Sequence, residues 1–523
     1  MTSGTRLAPR LPAQLLLAAA AGATAVPAFA PYYLWPLALL SLCVLFALWH
    51  RSQTAWRAFA IGFAWGLGLF VAGVTWIYVS LHVYGNMPAP LAALATFLFC
   101  CYLSLYPAMA GVLFRKLVNM RPMSASIGLL LVMPASFIAL EYLRGWLLSG
   151  FPWLTFGYSQ TPGGMLAAPL AGFAPLLGVH GISWLLALTA AVGVLLVRPL
   201  SAVAISRRGQ SVAMAALAVT WTAGHFLHHA PWSEPVGRPL PVALLQGNIE
   251  QSLKWREDQR DATLENYREL LGRTQAKLVV MPETALPNFL DAIPAGYVDG
   301  IGQRAAARGA DVLVGVPIAE RGSSSVNPYR YANSAISVGA SASQRYDKQH
   351  LVAFGEFIPP LFSWVYHWLQ IPLAGFTPGN DQQKPMSIAG QRVAINICYE
   401  DAFGSEIARQ LPEANLLVNI SNMAWYGRSL AADQHGQFSR MRAMETSRWM
   451  LRATNTGVTA AIDESGEMVA SMAQFERGVL EVNAQPRAGT TPYVIWRDAP
   501  VLTLLAACLL APLLLRGRLA PRP

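Results

Sequence analysis

Cys398 lies outside the long apolar segments of the sequence, at a position where a thiol could act as a nucleophile. It ends the apolar run RVAINIC and is followed at once by Tyr399 and Glu400. The other four cysteines fall inside long apolar segments, where cysteine behaves as a small apolar residue. In open α/β sheets the working side chains gather at the carboxyl ends of the strands. Cys398 is therefore a candidate nucleophile, with a buried core thiol as the alternative.

Two charged residues beside apolar runs, Glu283 and Lys348, are candidate partners of this thiol. Glu283 ends the run KLVVMPE, and poor solvation there would raise the pKa of its carboxyl group, which suits proton transfer near neutral pH. Lys348 precedes the apolar, aromatic stretch HLVAFGEFIP, where a buried ammonium group would need a carboxylate partner; the same motif also contains Glu356. The alternatives are an acid at a helix N-terminus for Glu283 and a solvated surface charge for Lys348.

Together, these residue types could carry out acyl chemistry at a thiol. A cysteine has a pKa of about 8.5 and attacks as the thiolate. Glu283 could take the proton of Cys398, while Lys348 could favour the thiolate and then hold the oxyanion of a tetrahedral intermediate. His350 and His435 show no nucleophile–base pattern. The sequence contains no HExxH, paired CxxC, Walker A or GxSxG motif, so we expect neither a metal nor a cofactor.

The composition is that of a membrane protein. Of the 523 residues, 54% are hydrophobic and 13% are charged, and the mean hydropathy is +0.37, whereas soluble domains carry about 25% charged residues. A membrane-spanning helix needs about 20 mostly apolar residues. Candidate spans lie near 12–30, 32–49, 58–80, 90–114, 124–148, 166–197, 211–229 and 499–515. The net charge of +10 lies mostly between these segments, so no nucleic-acid partner is expected.

Lysine and arginine residues occupy alternate loops between the spans. They precede the first span and follow the second, fourth, sixth and last, which places both termini in the cytoplasm. We therefore predict a membrane domain with seven transmembrane helices (1–231), an outer domain (232–498), and a final span with a cytoplasmic tail (499–523). Alternatively, LLLAAAAGATAVPAFA is a signal peptide with Ala28-Phe29-Ala30 as its cleavage motif, which would leave the outer domain in the same place.

The outer domain alternates short apolar runs, rich in β-branched residues, with polar helical stretches. Strands are predicted at 242–249, 277–283, 311–317, 332–338, 392–398, 415–421 and 457–463. Helices are predicted between several of them, including 256–275 and 431–450. This alternation is typical of an α/β domain whose strands are largely buried.

Three motifs, MPETALP, YDKQHLVAFGEFIP and NICYEDAF, resemble the Glu–Lys–Cys motifs of the nitrilase (carbon–nitrogen hydrolase) superfamily. The whole chain, including QGNIEQSLKW, GFPWLTFGYSQ and SNMAWYG, resembles the bacterial apolipoprotein N-acyltransferase family. The resemblance implies a nitrilase-like αββα sandwich, with Cys398 as nucleophile, Glu283 as general base and Lys348 as electrostatic stabiliser. Further residues match positions that support catalysis or place the substrate in that family: Glu356, Trp255, Tyr399, Glu400 and Trp425.

The same resemblance implies a monomeric enzyme of the bacterial inner membrane with a periplasmic active site. Members of this family take an acyl chain from a phospholipid and hold it as a cysteine thioester. They then pass it to the α-amino group of the N-terminal diacylglyceryl-cysteine of an apolipoprotein, the last step of lipoprotein maturation. The expected partners are therefore a phospholipid donor, a diacylglyceryl apolipoprotein acceptor and the surrounding membrane lipids.

Residues 357–376 separate a lipid-facing enzyme from a soluble-type amidase. This stretch is nearly uncharged and aromatic, and its prolines make it unsuitable for spanning a bilayer. Because tryptophan and tyrosine favour the membrane interface, we expect it to enter the outer leaflet beside the site, opposite the loop 150–162; ordinary core packing is the alternative. A membrane-tethered amidase acting on small amides stays open. A transporter is disfavoured because the spans hold almost no ionisable residues, Glu141 and Arg144 being exceptions.

Overall fold

The computed structural model describes residues 11–120, 123–197, 206–322, 329–359 and 375–514. The first part of the chain is a bundle of helices, with a longer connection between Arg144 and Ala174 that contains short helical turns. These helices are α1 (Leu11–Thr24), α2 (Pro36–Arg51), α3 (Ala55–Val74), α4 (Ala89–Met120), α5 (Ala125–Arg144), α6 (Ala174–Leu196) and α7 (Arg207–His228). A helical turn at Ile77–Val79 and a π-helical turn at Ser80–Tyr84 connect α3 to α4.

Five of these helices are long and apolar enough to cross a membrane. They are α1 with the turn that follows it, α3, α4, α5, and α6 with the turn that precedes it. Helix α2 is apolar but shorter. Each apolar segment identified in residues 1–231 of the sequence lies on one of the seven helices, whereas their number of membrane crossings stays a prediction.

Close backbone contact holds the bundle together. A Cβ atom at Gly68 of α3 would lie 1.9 Å from the carbonyl oxygen of Ala19 in α1. Small residues at such crossings allow helices to approach closely, which is how apolar helices gain packing energy where lipid is as apolar as the side chains. The buried ring of Trp65 stacks on Phe156 and donates a hydrogen bond to Ser41 Oγ at 2.9 Å. The loop after α5 is thereby packed into the bundle.

The second part of the chain is an α/β domain followed by a last apolar helix. Its strands are β1 (Glu234–Pro235), β2 (Leu240–Gln246), β3 (Leu278–Val280), β4 (Asp311–Arg321), β5 (Tyr329–Gly339), β6 (Arg345–Asp347), β7 (Met386–Ile388), β8 (Gln391–Ile397), β9 (Leu416–Ser421), β10 (Met450–Thr454), β11 (Ala460–Ile462), β12 (Met468–Ser471), β13 (Gly478–Ala484) and β14 (Arg487–Ala488). Its helices are α8 (Arg260–Gly272), α9 (Tyr297–Ala306), α10 (Ala431–Thr446) and the final α11 (Ala499–Leu514), with short helical turns at Gly404–Ile407 and Pro492–Trp496.

Twelve of these strands form two six-stranded sheets. The first sheet has the order β13-β2-β3-β4-β5-β6, and the second has the order β12-β11-β10-β9-β8-β7. In each sheet three neighbouring strands run parallel, β2, β3 and β4 in one and β8, β9 and β10 in the other. Strands β1 and β14 form a separate antiparallel pair.

The two sheets pack face to face between layers of helix. Apolar side chains from both sheets, such as Val280 and Ile395, form one buried core between them. Helices α8 and α9 cover the outer face of the first sheet through residues such as Tyr267 and Ile301. On the second sheet, α10 is buried on both sides, because its Phe438 belongs to an apolar cluster that continues into the helical bundle. The predicted fold class, an αββα sandwich with a multi-helix membrane part, is confirmed.

Strand β10 was missed because it carries a charge. The sequence predicted a helix over 431–450, and the structure ends that helix at Thr446 and begins β10 at Met450. Arg452 interrupts the apolar pattern of this strand, yet it is fully buried against Asp401, with 2.8 Å between Nη1 and Oδ2. A buried arginine of this kind is stable only with its partner present, and the partner lies 51 residues earlier in the chain.

We expect the sheet–sheet core to dominate the stability of the α/β domain. Ile395→Ala would remove apolar volume from a fully buried position between the sheets, at a cost of about 2–5 kcal/mol. Thermal unfolding of the detergent-solubilised protein should show a clear fall in Tm. The control is Val469→Ala on β12, where the side chain is exposed, and its Tm should be unchanged. Equal Tm values for the two variants would contradict this arrangement of the core.

Candidate active site

Cys398 stands on a sharp turn at the carboxyl end of β8. Its backbone has φ of +55°, which is uncommon for a residue other than glycine and which concentrates at functional sites. The carbonyl oxygen of Cys398 accepts hydrogen bonds from Asn419 Nδ2 at 3.1 Å and from His435 Nε2 at 3.2 Å. These bonds fix the peptide of Cys398, whose half-buried side chain packs against the core between the two sheets.

Glu283, Lys348 and Cys398 lie together although they come from different sheets. Lys348 Nζ is 3.4 Å from Glu283 Oε1 and 2.9 Å from a carboxylate oxygen of Glu356. The thiol of Cys398 lies close enough to Glu283 for each group to shift the pKa of the other. Lys348 is only 1% exposed, so the alternative of a solvated surface lysine is wrong. The arrangement combines a thiol, a proton acceptor and a buried cation.

Two asparagines that the sequence analysis missed organise the carboxylates. Asn333 Nδ2 donates to Glu283 Oε1 and to Glu356 Oε1, both at 2.8 Å. The backbone N–H of Asn422 donates to the other oxygen of Glu283 at 2.8 Å. Asn333 lies on the buried strand β5 and accepts a backbone hydrogen bond from Lys348 N at 2.8 Å. A polar residue in the apolar run ANSAISV was the available signal, because buried amides need specific partners.

The charges of these groups set a resting state with a neutral thiol and an ionised Glu283. Burial raises the pKa of Cys398, and the neighbouring Glu283 adds to that effect. Burial would also raise the pKa of Glu283, as the sequence analysis expected. The expectation is wrong, because the attraction of Lys348 and the hydrogen bond from Asn333 hold the pKa of Glu283 below its usual value. Glu283 is therefore ready to accept a proton.

A glycine in the neighbouring strand allows Glu283 to reach this position. A Cβ atom at Gly315 of β4 would lie 2.2 Å from Pro282 O and 2.9 Å from Glu283 Cα. Any larger residue at Gly315 would push the segment after β3 away from the sheet. This contact is the reason for the glycine in the apolar run DVLVGVP.

Glu400 ties the Cys398 turn to the Lys348 loop. Its Oε2 accepts the N–H of Ile397 at 2.6 Å, and its Oε1 accepts the N–H of Gln349 at 2.6 Å and that of His350 at 3.2 Å. Burial raises the pKa of Glu400 to about 7, and these backbone donors oppose the shift. Glu400 therefore acts on the geometry of the two loops and makes no contact with the thiol through its own hydrogen bonds.

Comparisons with known proteins cover nearly the whole chain. The Apolipoprotein N-acyltransferase N-terminal domain model matches residues 21–192, and the Carbon-nitrogen hydrolase model matches residues 241–493. A protein of Nitrosomonas europaea named apolipoprotein N-acyltransferase is 45% identical over 95% of this chain and 96% of its own. Proteins of the same name from Chromobacterium violaceum (42%; 96% of this chain and 94% of its own) and Methylococcus capsulatus (43%; 94% of each) are also similar.

The chain belongs to the apolipoprotein N-acyltransferase family. The N-terminal family model lies on the helical bundle, and the carbon-nitrogen hydrolase model lies on the αββα sandwich that holds Glu283, Lys348 and Cys398.

Tyr399 connects the sandwich of this N-acyltransferase family member to its helical bundle. The Tyr399 hydroxyl donates to Gly150 O at 2.9 Å, and its ring stacks on Trp153 with 5.7 Å between centroids. Nearby, Arg144 Nη1 donates to Trp153 O at 2.6 Å, which fixes the loop that carries this tryptophan. The loop 150–162 is thereby attached to the residue next to Cys398.

The two tryptophans that match family positions lie at the periphery of the site. Trp255 is 38% exposed. Trp425 is half-buried, and its ring meets Tyr84 edge to face at 6.2 Å. Within the described parts of the chain, neither indole donates a hydrogen bond to the thiol, to Lys348 or to Glu283. Their roles in placing a substrate stay predictions.

The aromatic segment 357–376 falls mostly outside the described residues. Residues 360–374 are not described, so its entry into the membrane stays a prediction. Two residues beside the site had no role in the sequence analysis. Tyr426 packs edge to face on Trp76 at 4.8 Å and lies within electrostatic range of Cys398, and Lys254 is buried beside Glu283.

We expect the amide of Asn333 to control the reactivity of Cys398. Asn333→Asp removes the shared donor and adds a third negative charge next to Glu283 and Glu356. Proton removal from the thiol should then be disfavoured, and alkylation of Cys398 by iodoacetamide should slow by about tenfold or more. The adduct is quantified by peptide mass spectrometry. Asn483→Asp, on the exposed face of β13, is the control, and equal rates in both variants would refute the role of Asn333.

Proposed function

We propose that this protein transfers a fatty acyl chain from a phospholipid to the α-amino group of the N-terminal diacylglyceryl-cysteine of an apolipoprotein. The observation that carries the proposal is the buried cluster of Cys398, Glu283 and Lys348 in a chain that belongs to the apolipoprotein N-acyltransferase family. A thiol next to a carboxylate and a cation is suited to acyl transfer, because it can form and break a thioester.

The first half-reaction loads the cysteine. Glu283 accepts the proton of the Cys398 thiol, and the sulfur attacks the ester carbonyl carbon of the phospholipid. Lys348, with nearby backbone N–H groups, stabilises the oxyanion of the tetrahedral intermediate. The carbon–oxygen bond then breaks, the leaving lysophospholipid oxygen takes the proton from Glu283, and an acyl thioester stays on Cys398.

The second half-reaction delivers the acyl chain. The uncharged α-amino group of the diacylglyceryl-cysteine attacks the thioester carbon and gives a proton to Glu283. The carbon–sulfur bond breaks, an amide forms, and the thiolate of Cys398 recovers a proton from Glu283. This double displacement allows one site to bind two bulky lipids in turn.

Glu356 supports the proposed role of Lys348. Its carboxylate lies closer to Lys348 Nζ than Glu283 does, 2.9 Å against 3.4 Å. Burial would lower the pKa of Lys348, but Glu356 and Glu283 together hold it well above its usual value. Lys348 therefore stays charged throughout the cycle, also when Glu283 carries the transferred proton.

The proposed setting is the bacterial inner membrane, with the enzyme acting as a monomer. Residues 1–231 would form the membrane domain with seven spans, residues 232–498 the periplasmic catalytic domain, and residues 499–523 a last span and a cytoplasmic tail. The alternating placement of lysine and arginine supports this orientation. The apolar helices of the bundle support membrane insertion.

We expect Cys398 to carry the acyl group. With a phospholipid labelled in its acyl chain, the wild-type protein should give a labelled thioester that maps to the peptide containing Cys398. Cys398→Ala should give no thioester, and Cys398→Ser should lower turnover by about a thousandfold or more, because a serine hydroxyl is a much weaker nucleophile beside this base. A stable acyl adduct on another residue would count against the mechanism.

The choice of substrate should distinguish the transferase from a membrane-tethered amidase, which the relatives do not favour. In detergent, we expect release of lysophospholipid and acylation of a diacylglyceryl lipopeptide, with small-amide hydrolysis at the level of the Cys398→Ala variant. The products are separated by chromatography and identified by mass. Faster turnover of small amides with water than of phospholipid with lipopeptide would favour the amidase.

A further inference from the structure

Lys254 is a second buried lysine at the catalytic cluster. It lies in the loop after β2 and is 3% exposed. Its Nζ donates to Thr284 Oγ1 at 2.5 Å and to the backbone oxygen of Glu283 at 3.3 Å. Both acceptors are uncharged, although a buried ammonium group is normally stabilised by a carboxylate. Among the residues that the structure describes, Lys254 forms no ion pair, so its location depends on these two contacts and on the nearby charges.

One feature beside Lys254 is the strained backbone of Thr284. Thr284 has φ of +45°, and a β-branched residue in this region is a genuine outlier. The strain falls on the residue that follows Glu283, whose carboxylate contacts Lys348. By holding the side chain of Thr284 and the carbonyl of Glu283 at once, Lys254 stabilises this conformation.

A second feature is the net charge of the side chains that surround Cys398. Glu283, Glu356 and Lys348 together carry one net negative charge, and moving a proton from Cys398 to Glu283 leaves that charge unchanged. Lys254 is within electrostatic range of both Glu283 and Cys398. With its ammonium group included, the cluster is neutral before and after the proton moves. A neutral cluster is less costly to bury than one with an excess charge.

We propose that Lys254 is a positioning residue of the acyltransfer reaction, which holds the Glu283–Thr284 backbone and supplies the second positive charge that makes the Cys398 thiolate accessible. The inference deepens the proposed function and rests on it. It assigns to Lys254 a role separate from that of Lys348, whose ammonium is already shared between two carboxylates.

The protonation of Lys254 should make this role dependent on pH. Burial lowers the pKa of Lys254 to about 7, and the facing groups, Glu283 from the segment after β3 and Cys398 from the turn after β8, oppose the shift. As the pH rises through this value, the ammonium loses its proton and the cluster regains its excess negative charge. Thiolate formation is then less favourable than the pH alone would suggest.

The test measures the reactivity of the Cys398 thiol in the absence of lipid substrates. Full-length Lys254→Met, Lys254→Arg and Lys277→Met proteins in detergent are alkylated with iodoacetamide across a pH series, and the Cys398 adduct is quantified by peptide mass spectrometry. Lys277 is the matched control, since its Nζ also donates to a backbone carbonyl, Arg308 O at 2.6 Å, but at the surface. Below about pH 7, where the ammonium group of Lys254 is charged, Lys254→Met should slow alkylation about tenfold, and the rates of the variant and the wild type should converge as the pH rises above that value. Lys254→Arg should restore most of the rate, and Lys277→Met should match the wild type.

A second readout separates this inference from the proposed function. Release of lysophospholipid from a labelled phospholipid in the same proteins reports the acylation step. If the wild type is not acylated while alkylation still depends on Lys254, the acyltransfer proposal fails, and only the effect of Lys254 on the Cys398 thiol is retained. If the wild type is acylated and Lys254→Met keeps the wild-type alkylation profile and acylation rate, the role of Lys254 is overturned.

One further variant decides the matter if Lys254→Met does not fold. Thr284→Val keeps the charge and the β-branched shape but removes one of the two oxygens that Lys254 contacts. We expect alkylation of Cys398 to slow about threefold, in proportion to a small shift of the thiol pKa, with Tm close to that of the wild type. An unchanged alkylation profile in Thr284→Val would overturn the proposal.

Discussion

The structure depends on keeping charged groups out of water at one edge of two packed sheets. Burying an ammonium group beside two carboxylates costs roughly several kcal/mol of hydration free energy for each ion. The attraction between the ions offsets this cost only when their geometry is well matched. Asn333, the backbone of Asn422 and the close approach at Gly315 supply that match around Lys348. The sandwich therefore does more than bury apolar surface. It brings the ends of β3, β6 and β8 to within hydrogen-bond distance of one another.

The proposed nucleophile and its partners could be selected from the sequence because each ends or borders an apolar run. Cys398, Glu283 and Lys348 all have that signature, and the structure places them in contact. The direction of the pKa shift at Glu283 could not be predicted in the same way. It depends on the balance between burial and the attraction of Lys348, 65 residues later in the chain. The distances in the folded protein decide that balance.

The residues that support the site were harder to predict, because they act through strand register and loop contact. Asn333 reaches both carboxylates because β5 and β6 pair with Ser334 opposite Asp347, which sets Lys348 beside it. Arg452 is compatible with a central strand only because Asp401 lies beneath it. The sequence shows a charged or polar residue in each of these places, and the partner that makes it stable becomes visible only when the sheets are assembled.

The hydrogen bond from Tyr399 to Gly150 has a practical consequence for anyone seeking inhibitors. Tyr399, the residue after Cys398, is held by a loop of the helical bundle through Gly150 and the ring of Trp153. In a water-soluble fragment that contains the sandwich alone, Tyr399 would lose its contacts with Gly150 and Trp153, and Cys398 would have different surroundings. Compounds selected against such a fragment would be optimised for a shape that the intact protein never adopts, so screening belongs on the full chain in detergent or nanodiscs.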